Sequence, residues 1–198
     1  KKPAFLNDVT NYHNRGDSTW SGTSVYDGDF FGLDDLFTEK PEVVAGWTAL
    51  WSSWITRFDI DGYRVDTAKH VNPEFWNAFI PKVLATAKSA GKKQFPIYGE
   101  VADSDPRTLS TFVKEQSFNS VLDFGFQSAV SRFVVTGNGL DGLVNLFNAD
   151  DMYTSVSTSA YSLATFLGNH DMGRIGQFIS DSNSDDAEAA ARAGLANT

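Results

Sequence analysis

Two acidic residues, Asp66 and Glu100, follow short apolar segments that have the pattern of β-strands, and both are candidates for chemistry. Arg64 lies on the same face as Asp66, because strand side chains alternate with a period of two. An arginine there would hold Asp66 ionised, whereas a glutamate in a less polar position would keep its proton. Such a pair can cleave a glycosidic bond. Taken singly, the residues are also compatible with a structural ion pair and an ordinary strand-end glutamate.

The elements that must position these residues alternate between strand and helix, which predicts a parallel sheet. A helix of about 15 residues begins at Pro41, since apolar residues recur at helical spacing after a proline suited to a first turn. Strands are predicted next at Gly62–Asp66, Phe95–Glu100, Ser120–Phe124 and Ser162–Leu167, and helices at Pro73–Ala90, Pro106–Glu115, Phe126–Phe147 with a break at Gly137–Gly139, and Asp185–Leu195.

The spacing of the acidic strand ends favours a (β/α)8 barrel. Glu100 lies 34 residues after Asp66, and Asp171, just beyond the fourth predicted strand, lies 71 residues after Glu100. A barrel of about 250 residues averages about 31 residues per unit, so the three residues correspond to strands n, n+1 and n+3. A doubly wound open sheet also binds ligands at the carboxyl ends of its strands, and the alternation leaves that fold open.

Three motifs carry a family resemblance through their order and spacing. Gly62–His70, Tyr98–Glu100 and Phe166–Asp171 resemble the second, third and fourth signature regions of the α-amylase family, glycoside hydrolase family thirteen. Gly32–Leu36 is similar to the short motif near the end of the domain that this family inserts after its third barrel strand. The resemblance implies an α/β fold: residues 41–198 as part of a (β/α)8 TIM barrel, strands four to seven, preceded by the C-terminal part of the inserted, loop-rich domain B at residues 1–40.

The resemblance also implies roles for three carboxyl groups. Asp66 would be the nucleophile that forms a glycosyl-enzyme intermediate, and Glu100 the general acid and then the base. Asp171 would be a third carboxylate, which binds sugar hydroxyls and favours the distorted, positively charged transition state. These residues would make the chain part of a retaining glycosidase.

Substrate-binding residues implied by the resemblance flank those carboxyl groups. Arg64 would position Asp66, and His170 would hydrogen-bond the sugar in the cleaved subsite. Lys69 and His70 match positions that contact the next sugar on the leaving-group side. The expected ligand is therefore an α-glucan.

A structural calcium ion is the cofactor that the resemblance implies. In the family the backbone carbonyl of the residue matching His70 binds Ca²⁺ together with side-chain oxygens, and Asp35 falls where one of those carboxylates lies. Oxygen donors from several segments suit a hard cation that takes six to eight of them. The family's first signature region, which supplies a further ligand, has no counterpart in this sequence, so the predicted site is incomplete here.

The amino-acid composition argues against nucleic acid, a membrane span and a thiolate-bound metal as partners. The 198 residues include 16 Lys and Arg against 25 Asp and Glu, and the formal net charge of −9 argues against nucleic acid. No segment approaches the ~20 apolar residues that a membrane span needs. The chain has no Cys, which excludes a thiolate metal site and leaves the compartment open. A starch-like substrate favours an extracellular location.

The predicted strands account for half of a barrel, which closes with eight. We therefore expect either a longer enzyme that includes these residues or a piece that self-associates through open strand edges. The predicted function is retaining hydrolysis of α-glucans, with little activity in residues 1–198 alone. A transglycosylase, an α-1,6-debranching enzyme, an isomerase of the same family, and a non-catalytic carbohydrate-binding or interaction domain stay open as alternatives.

Overall fold

A computed structural model describes residues 3–182, which form two compact units. One unit comprises the chain up to Glu100 together with Glu115–Asn119, and the other comprises Val101–Lys114 and the chain from Ser120 onward. The division into residues 1–40 and 41–198 concerns the family's domains and stays a prediction. Within the described part of the chain, no helix is long and apolar enough to cross a membrane.

Two long helices and two parallel strands build the first unit. In chain order its elements are the 3₁₀ helices Ala4–Asn7 and Val9–Asn11, α1 (Ser24–Asp27), α2 (Pro41–Phe58), β1 (Tyr63–Val65), the 3₁₀ helix Ala68–His70, α3 (Pro73–Ser89) and β2 (Ile97–Gly99). Helices α2 and α3 both begin at a proline, whose fixed φ suits the first helical position. Proline lacks a backbone N–H, but no hydrogen bond is lost, because an N–H at that position has no acceptor within the helix. The predicted helices and strands of this unit are confirmed to within a few residues.

Aromatic side chains join α2 to α3. The rings of Trp51 and Phe79 meet edge to face with centroids 5.3 Å apart, and Phe75 stacks on Phe79 at 5.0 Å. Ile55 and Ile80 are fully buried. The tryptophan spacing in α2 therefore serves helix packing at Trp51, as the amphipathic pattern indicates.

The backbones of β1 and β2 come close together at the residues just before the two strands, Gly62 and Pro96. The strands pair in parallel, with Val65 opposite Gly99. The Tyr63 N–H donates to the Pro96 carbonyl at 2.8 Å, and a Cβ on Gly62 would lie 2.7 Å from that same oxygen. Glycine at position 62 therefore permits the contact that aligns the strands.

Residues 3–40 form a loop region whose regular elements are short helices, as expected of a loop-rich segment. Backbone hydrogen bonds connect its two ends, from the Phe37 N–H to the Asn11 carbonyl at 2.8 Å and from the His13 N–H to the Asp35 carbonyl at 3.0 Å. Phe5 meets Trp47 of α2 edge to face, with ring centroids 6.1 Å apart. These contacts hold the region without long regular structure.

The second unit is mainly helical. Its elements are α4 (Pro106–Glu115, whose last residue belongs to the first unit), β3 (Ser120–Val121), α5 (Phe124–Thr136), α6 (Leu140–Asn148), the 3₁₀ helices Asp150–Tyr153 and Ala160–Ser162, and α7 (Ile175–Ser182). The Asp123 side chain caps α5 by accepting from the Phe126 N–H at 2.9 Å, and Gly137, at φ +67°, ends it. The predicted glycine break therefore separates two helices.

The predicted fourth strand, Ser162–Leu167, is wrong. Its first residue ends a 3₁₀ helix, because the Ser162 N–H donates to the Ser159 carbonyl at 3.0 Å in a local turn. Only Ala164 makes a parallel bridge, opposite Leu122. The β3 strand is likewise shorter than predicted, since helix α5 already begins at Phe124. The α/β class with parallel strands is confirmed, and the numbering of barrel strands as four to seven stays a prediction.

Helix α7 is absent from the sequence predictions. Its buried residues Ile175 and Ile179 are four apart, so they face the same side and pack with Val134, Val135 and Leu167. Eight residues are too short for the pattern to stand out from an apolar loop. The helix predicted at Asp185–Leu195 lies outside the described residues.

Candidate active site

Asp66 and Glu100 emerge at the same end of the two paired strands. Each follows the last residue of its strand, Val65 or Gly99, and these two residues are partners in the register. The Glu100 N–H donates to the Val65 carbonyl at 2.7 Å, and the Glu100 carbonyl accepts from the Ala68 N–H at 3.0 Å. The backbone of Glu100 is therefore fixed between β1 and the turn that follows it.

Arg64 contacts both carboxyl groups. One guanidinium nitrogen lies 3.4 Å from Asp66 Oδ1, and the other lies 3.0 Å from Glu100 Oε1. The neighbouring Asp66 is one of the causes that raise the pKa of Glu100. One arginine side chain therefore bridges the two carboxyl groups.

Solvent exposure distinguishes the two carboxyl groups. The side chain of Glu100 is 11% exposed, whereas that of Asp66 is 71% exposed. Burial raises the pKa of Glu100, and the neighbouring Asp66 raises it further. The Thr67 N–H, 3.2 Å from Glu100 Oε2, and the Arg64 charge lower that pKa in opposition. The net result is a raised pKa of Glu100.

A turn after Asp66 directs the chain toward the loop region. Thr67 adopts a left-handed conformation with φ +47°, and the 3₁₀ helix that contains Lys69 and His70 follows. The His70 ring lies edge to face with Trp20 and Phe30, at centroid distances of 5.3 and 5.4 Å. Burial lowers the pKa of His70, against a backbone hydrogen bond with Val25, so the ring is neutral near pH 7.

A cavity of about 530 Å³ opens beside the pair. Arg64, Asp66 and Thr67 line it together with Phe30 and Leu33 of the loop region. A larger cavity of about 720 Å³ lies between α3 and the start of β2 and contains none of these carboxyl groups. The smaller cavity is therefore the candidate substrate site, since Asp66 and Arg64 line it.

Asp171 and His170 belong to the second unit. His170 Nε2 lies 3.4 Å from Asp171 Oδ2, and both side chains are exposed. The Asn169 side chain accepts from the backbone N–H groups of Asp171 and Met172 at 3.0 and 2.9 Å, which shapes the loop. That Asp171 and His170 act in the same site as Asp66 and Glu100 stays a prediction.

The predicted calcium ligand Asp35 is engaged by a histidine. Its carboxylate lies 2.5 Å from His13 Nδ1, and the other ring nitrogen of His13 lies 3.1 Å from Glu39 Oε2. Burial raises the pKa of Asp35 to about 6, against the hydrogen bond from His13. Among residues 3–182, no group of three or more His, Cys, Asp or Glu could hold a metal ion. The calcium site at Asp35 and the His70 carbonyl stays a prediction.

Sequence reasoning assigned no role to His13 or Thr67. His13 lies 22 positions before Asp35, and no short motif joins them. The Thr67 contact is made by a backbone N–H, which every residue except proline carries. Neither contribution has a signal in the residue types, because both depend on how the chain folds.

A largely buried and an exposed carboxyl group lie at the carboxyl ends of adjacent parallel strands of an α/β fold, and glycosidases use such a pair of carboxyl groups. The chain belongs to the α-amylase family, since the family model described as "Alpha amylase, catalytic domain" matches residues 3–197. The predicted family is confirmed.

Three relatives illustrate the range of the similarity. The chain is 44% identical, over its whole length, to 22% of an α-amylase from Streptomyces lividans. A crystal structure of an Anoxybacillus α-amylase matches 96% of the chain with a TM-score of 0.79 and 31% identity, and the chain covers 40% of it. A cyclomaltodextrin glucanotransferase from Klebsiella oxytoca is 27% identical over 83% of the chain and 26% of its own length. The chain thus spans well under half of each relative.

Proposed function

We propose that the intact protein hydrolyses α-1,4-linked glucans with retention of anomeric configuration. The observation that carries this proposal is the pair of carboxyl groups, Asp66 exposed and Glu100 largely buried, that one Arg64 guanidinium contacts at 3.4 and 3.0 Å. A close pair suits the retaining mechanism, whose carboxyl groups lie about 5 to 5.5 Å apart, better than the inverting one, in which a water separates them by about 6.5 to 9.5 Å. The Streptomyces lividans relative, an α-amylase, supports the choice of α-glucan as substrate.

In the first half of the proposed reaction, Glu100 donates its proton to the glycosidic oxygen as the bond to the leaving sugar breaks. The Asp66 carboxylate attacks the anomeric carbon and forms a covalent ester, while Arg64 keeps its attacking oxygen oriented. Exposure keeps Asp66 solvated, and burial raises the pKa of Glu100, as a general acid requires. Asp171 and His170 would bind the sugar at the cleaved position, and Lys69 and His70 the next one.

In the second half, Glu100 removes a proton from water, which attacks the anomeric carbon and releases Asp66. The Asp66 carboxylate is one of the causes that raise the pKa of Glu100, and its charge is lost when Asp66 becomes an ester. The pKa of Glu100 therefore falls in the intermediate, as a base requires. Glu100 can act first as the acid and then as the base because the charge of Asp66 is present in the first step and absent in the second.

The stereochemistry of the product tests this proposal. The sugar newly released from maltooligosaccharides by the intact protein is expected to appear first as the α-anomer, which proton NMR resolves before mutarotation. A sugar that first appears as the β-anomer would contradict the covalent mechanism. No cleavage of starch or maltooligosaccharides would contradict the proposed activity itself.

Transglycosylation is the second candidate, and the similarity to a cyclomaltodextrin glucanotransferase favours it. Both reactions use the same covalent intermediate and differ in whether water or a sugar hydroxyl accepts the glycosyl group. Chromatography of the products from starch separates them. Linear short oligosaccharides and glucose indicate hydrolysis, whereas cyclic or lengthened products indicate transfer.

We also propose that the intact protein binds calcium at Asp35 and the His70 carbonyl. A hard cation takes six to eight oxygens, so further donors would have to join these two, and the ion would compete with His13 for Asp35. Chelation is expected to lower the melting temperature, because an ion bound only to the folded state stabilises it. Differential scanning calorimetry with and without excess chelator measures this. An unchanged melting curve would refute the calcium proposal and leave the catalytic one intact.

A further inference from the structure

Thr67, in the turn after β1, has a backbone conformation that its side chain disfavours. Its φ of +47° and ψ of +34° lie in the left-handed region, where a β-branched residue is an outlier. Its N–H donates to Glu100 Oε2 at 3.2 Å. Strain of this kind persists only where surrounding contacts over-determine the backbone, and it is concentrated at active sites. The contacts that hold this turn therefore also act on Glu100.

Ala68, the next residue, is held through both of its backbone polar groups. Its N–H donates to the Glu100 carbonyl at 3.0 Å, and its carbonyl accepts from the indole N–H of Trp76 at 3.2 Å. Ala68 and Trp76 are 0% and 4% exposed, so water cannot readily replace this hydrogen bond. Because Trp76 lies in the first turn of α3, the helix fixes the turn that precedes it.

The Trp76 ring also packs behind the end of β2. Its centroid lies 5.0 Å from that of Phe118, which is 1% exposed, and the two rings meet edge to face. A Cβ on Gly99 would lie 3.0 Å from the Phe118 ring and 3.2 Å from the Cβ of Ala68. The backbone immediately before Glu100 is therefore packed without spare room on this side.

We propose that Trp76 is a positioning residue for Glu100. Its indole N–H fixes the Ala68 carbonyl and so keeps the Thr67 N–H directed at the Glu100 carboxyl group. Trp76 also borders the cavity of about 530 Å³, but at 4% exposure it offers a sugar little surface, so it acts through the turn. This inference rests on the proposed function, because it concerns the orientation of the proposed general acid.

The groups around Glu100 set the direction of the expected change in its pKa. Burial and the neighbouring Asp66 raise the pKa of Glu100, whereas the Thr67 N–H and the Arg64 charge lower it. A turn released from Trp76 holds the Thr67 N–H less firmly against the carboxyl group, so the pKa rises. Glu100 then keeps its proton to higher pH, and the alkaline limb of the activity profile moves upward.

Trp76→Phe, made in the intact protein, removes the indole N–H and keeps an aromatic ring in its place. Turnover of maltoheptaose is expected to fall about tenfold while KM stays nearly unchanged, because the acid is misplaced and the sugar contacts remain. The alkaline limb is expected to move upward by about 0.5 pH unit. Initial rates across the pH range, at several concentrations of maltoheptaose, measure all three quantities.

Two further variants separate the hydrogen bond from packing. Trp76→His keeps a ring N–H at the equivalent position but loses the six-membered ring. Its alkaline limb is expected to return toward the parent position, since an imidazole is neutral above its pKa of about 6.5, while its melting temperature falls. Val83→Ala creates a cavity at a buried position further along α3, and is expected to lower the melting temperature and leave the pH profile unchanged.

An alkaline limb that moves in Trp76→Phe and returns in Trp76→His supports the positioning role. Parent-like turnover and an unchanged pH profile in Trp76→Phe would overturn this role and leave the proposed function intact. A loss of turnover without movement of the alkaline limb would also overturn it, because Trp76 would then serve packing alone. A parent protein that does not cleave maltoheptaose would contradict the proposed function, and the positioning role with it.

Discussion

Asp66→Asn and Glu100→Gln are each expected to lower the turnover of α-glucans by the intact protein about 10³-fold or more. The first change removes the nucleophile, so no glycosyl ester forms. The second removes the proton that the leaving oxygen needs and the base that activates water. Steady-state assays on maltooligosaccharides measure both losses.

Neither change is expected to disturb the fold. Each replaces a carboxyl group with an amide of the same shape, and the new amide nitrogen can still donate a hydrogen bond to the remaining carboxyl group. Melting curves and circular dichroism of the variants should therefore match the parent. Glu42→Gln, in the exposed first turn of α2, is the control and should keep full turnover. Near-normal activity of either site variant would remove that residue from the proposed mechanism.

Arg64→Ala is expected to have the second-largest effect, a loss of turnover of about 100-fold or more, because it releases both carboxyl groups from their orientation. The pH profile supplies a second readout. The Arg64 charge lowers the pKa of Glu100, so its removal raises that pKa. Glu100 then stays protonated to higher pH, and the alkaline limb of the activity profile, which needs protonated Glu100, moves upward.

Arg64→Lys is the matched control for this prediction. It retains the positive charge but lacks the planar fork that reaches two carboxyl groups at once. We expect the alkaline limb to return toward its parent position while turnover recovers only in part. Initial rates across the pH range measure both. An Arg64→Ala protein with parent-like turnover and an unchanged profile would reduce Arg64 to a structural ion pair.

The long helices and the chemistry-bearing residues could be predicted from the sequence because their signals are local. Helices α2 and α3 each begin at a proline and repeat apolar residues over four or more turns, so their pattern exceeds the noise. Asp66 and Glu100 directly follow short strands, and residues that follow parallel strands share one edge of the sheet. Their proximity therefore followed from chain order alone.

Elements whose hydrogen bonds depend on distant partners could not be predicted in the same way. The apolar run Ser162–Leu167 has the composition of a strand, yet its first N–H is used in a local turn and Ala164 alone is bridged. A strand is defined by its neighbour, which the run itself does not specify. Helix α7 was missed for the related reason that two buried isoleucines make too short a pattern.

Only the tertiary structure determined how far each of the two carboxyl groups is exposed to solvent. The sequence places an acid at positions 66 and 100, but only the fold buries Glu100 to 11% exposure and leaves Asp66 at 71%. Residue type and spacing determine which groups can react, because those are properties of the chain. Burial and hydrogen bonding determine which carboxyl group is shielded and which faces solvent, because those depend on contacts between segments far apart in sequence.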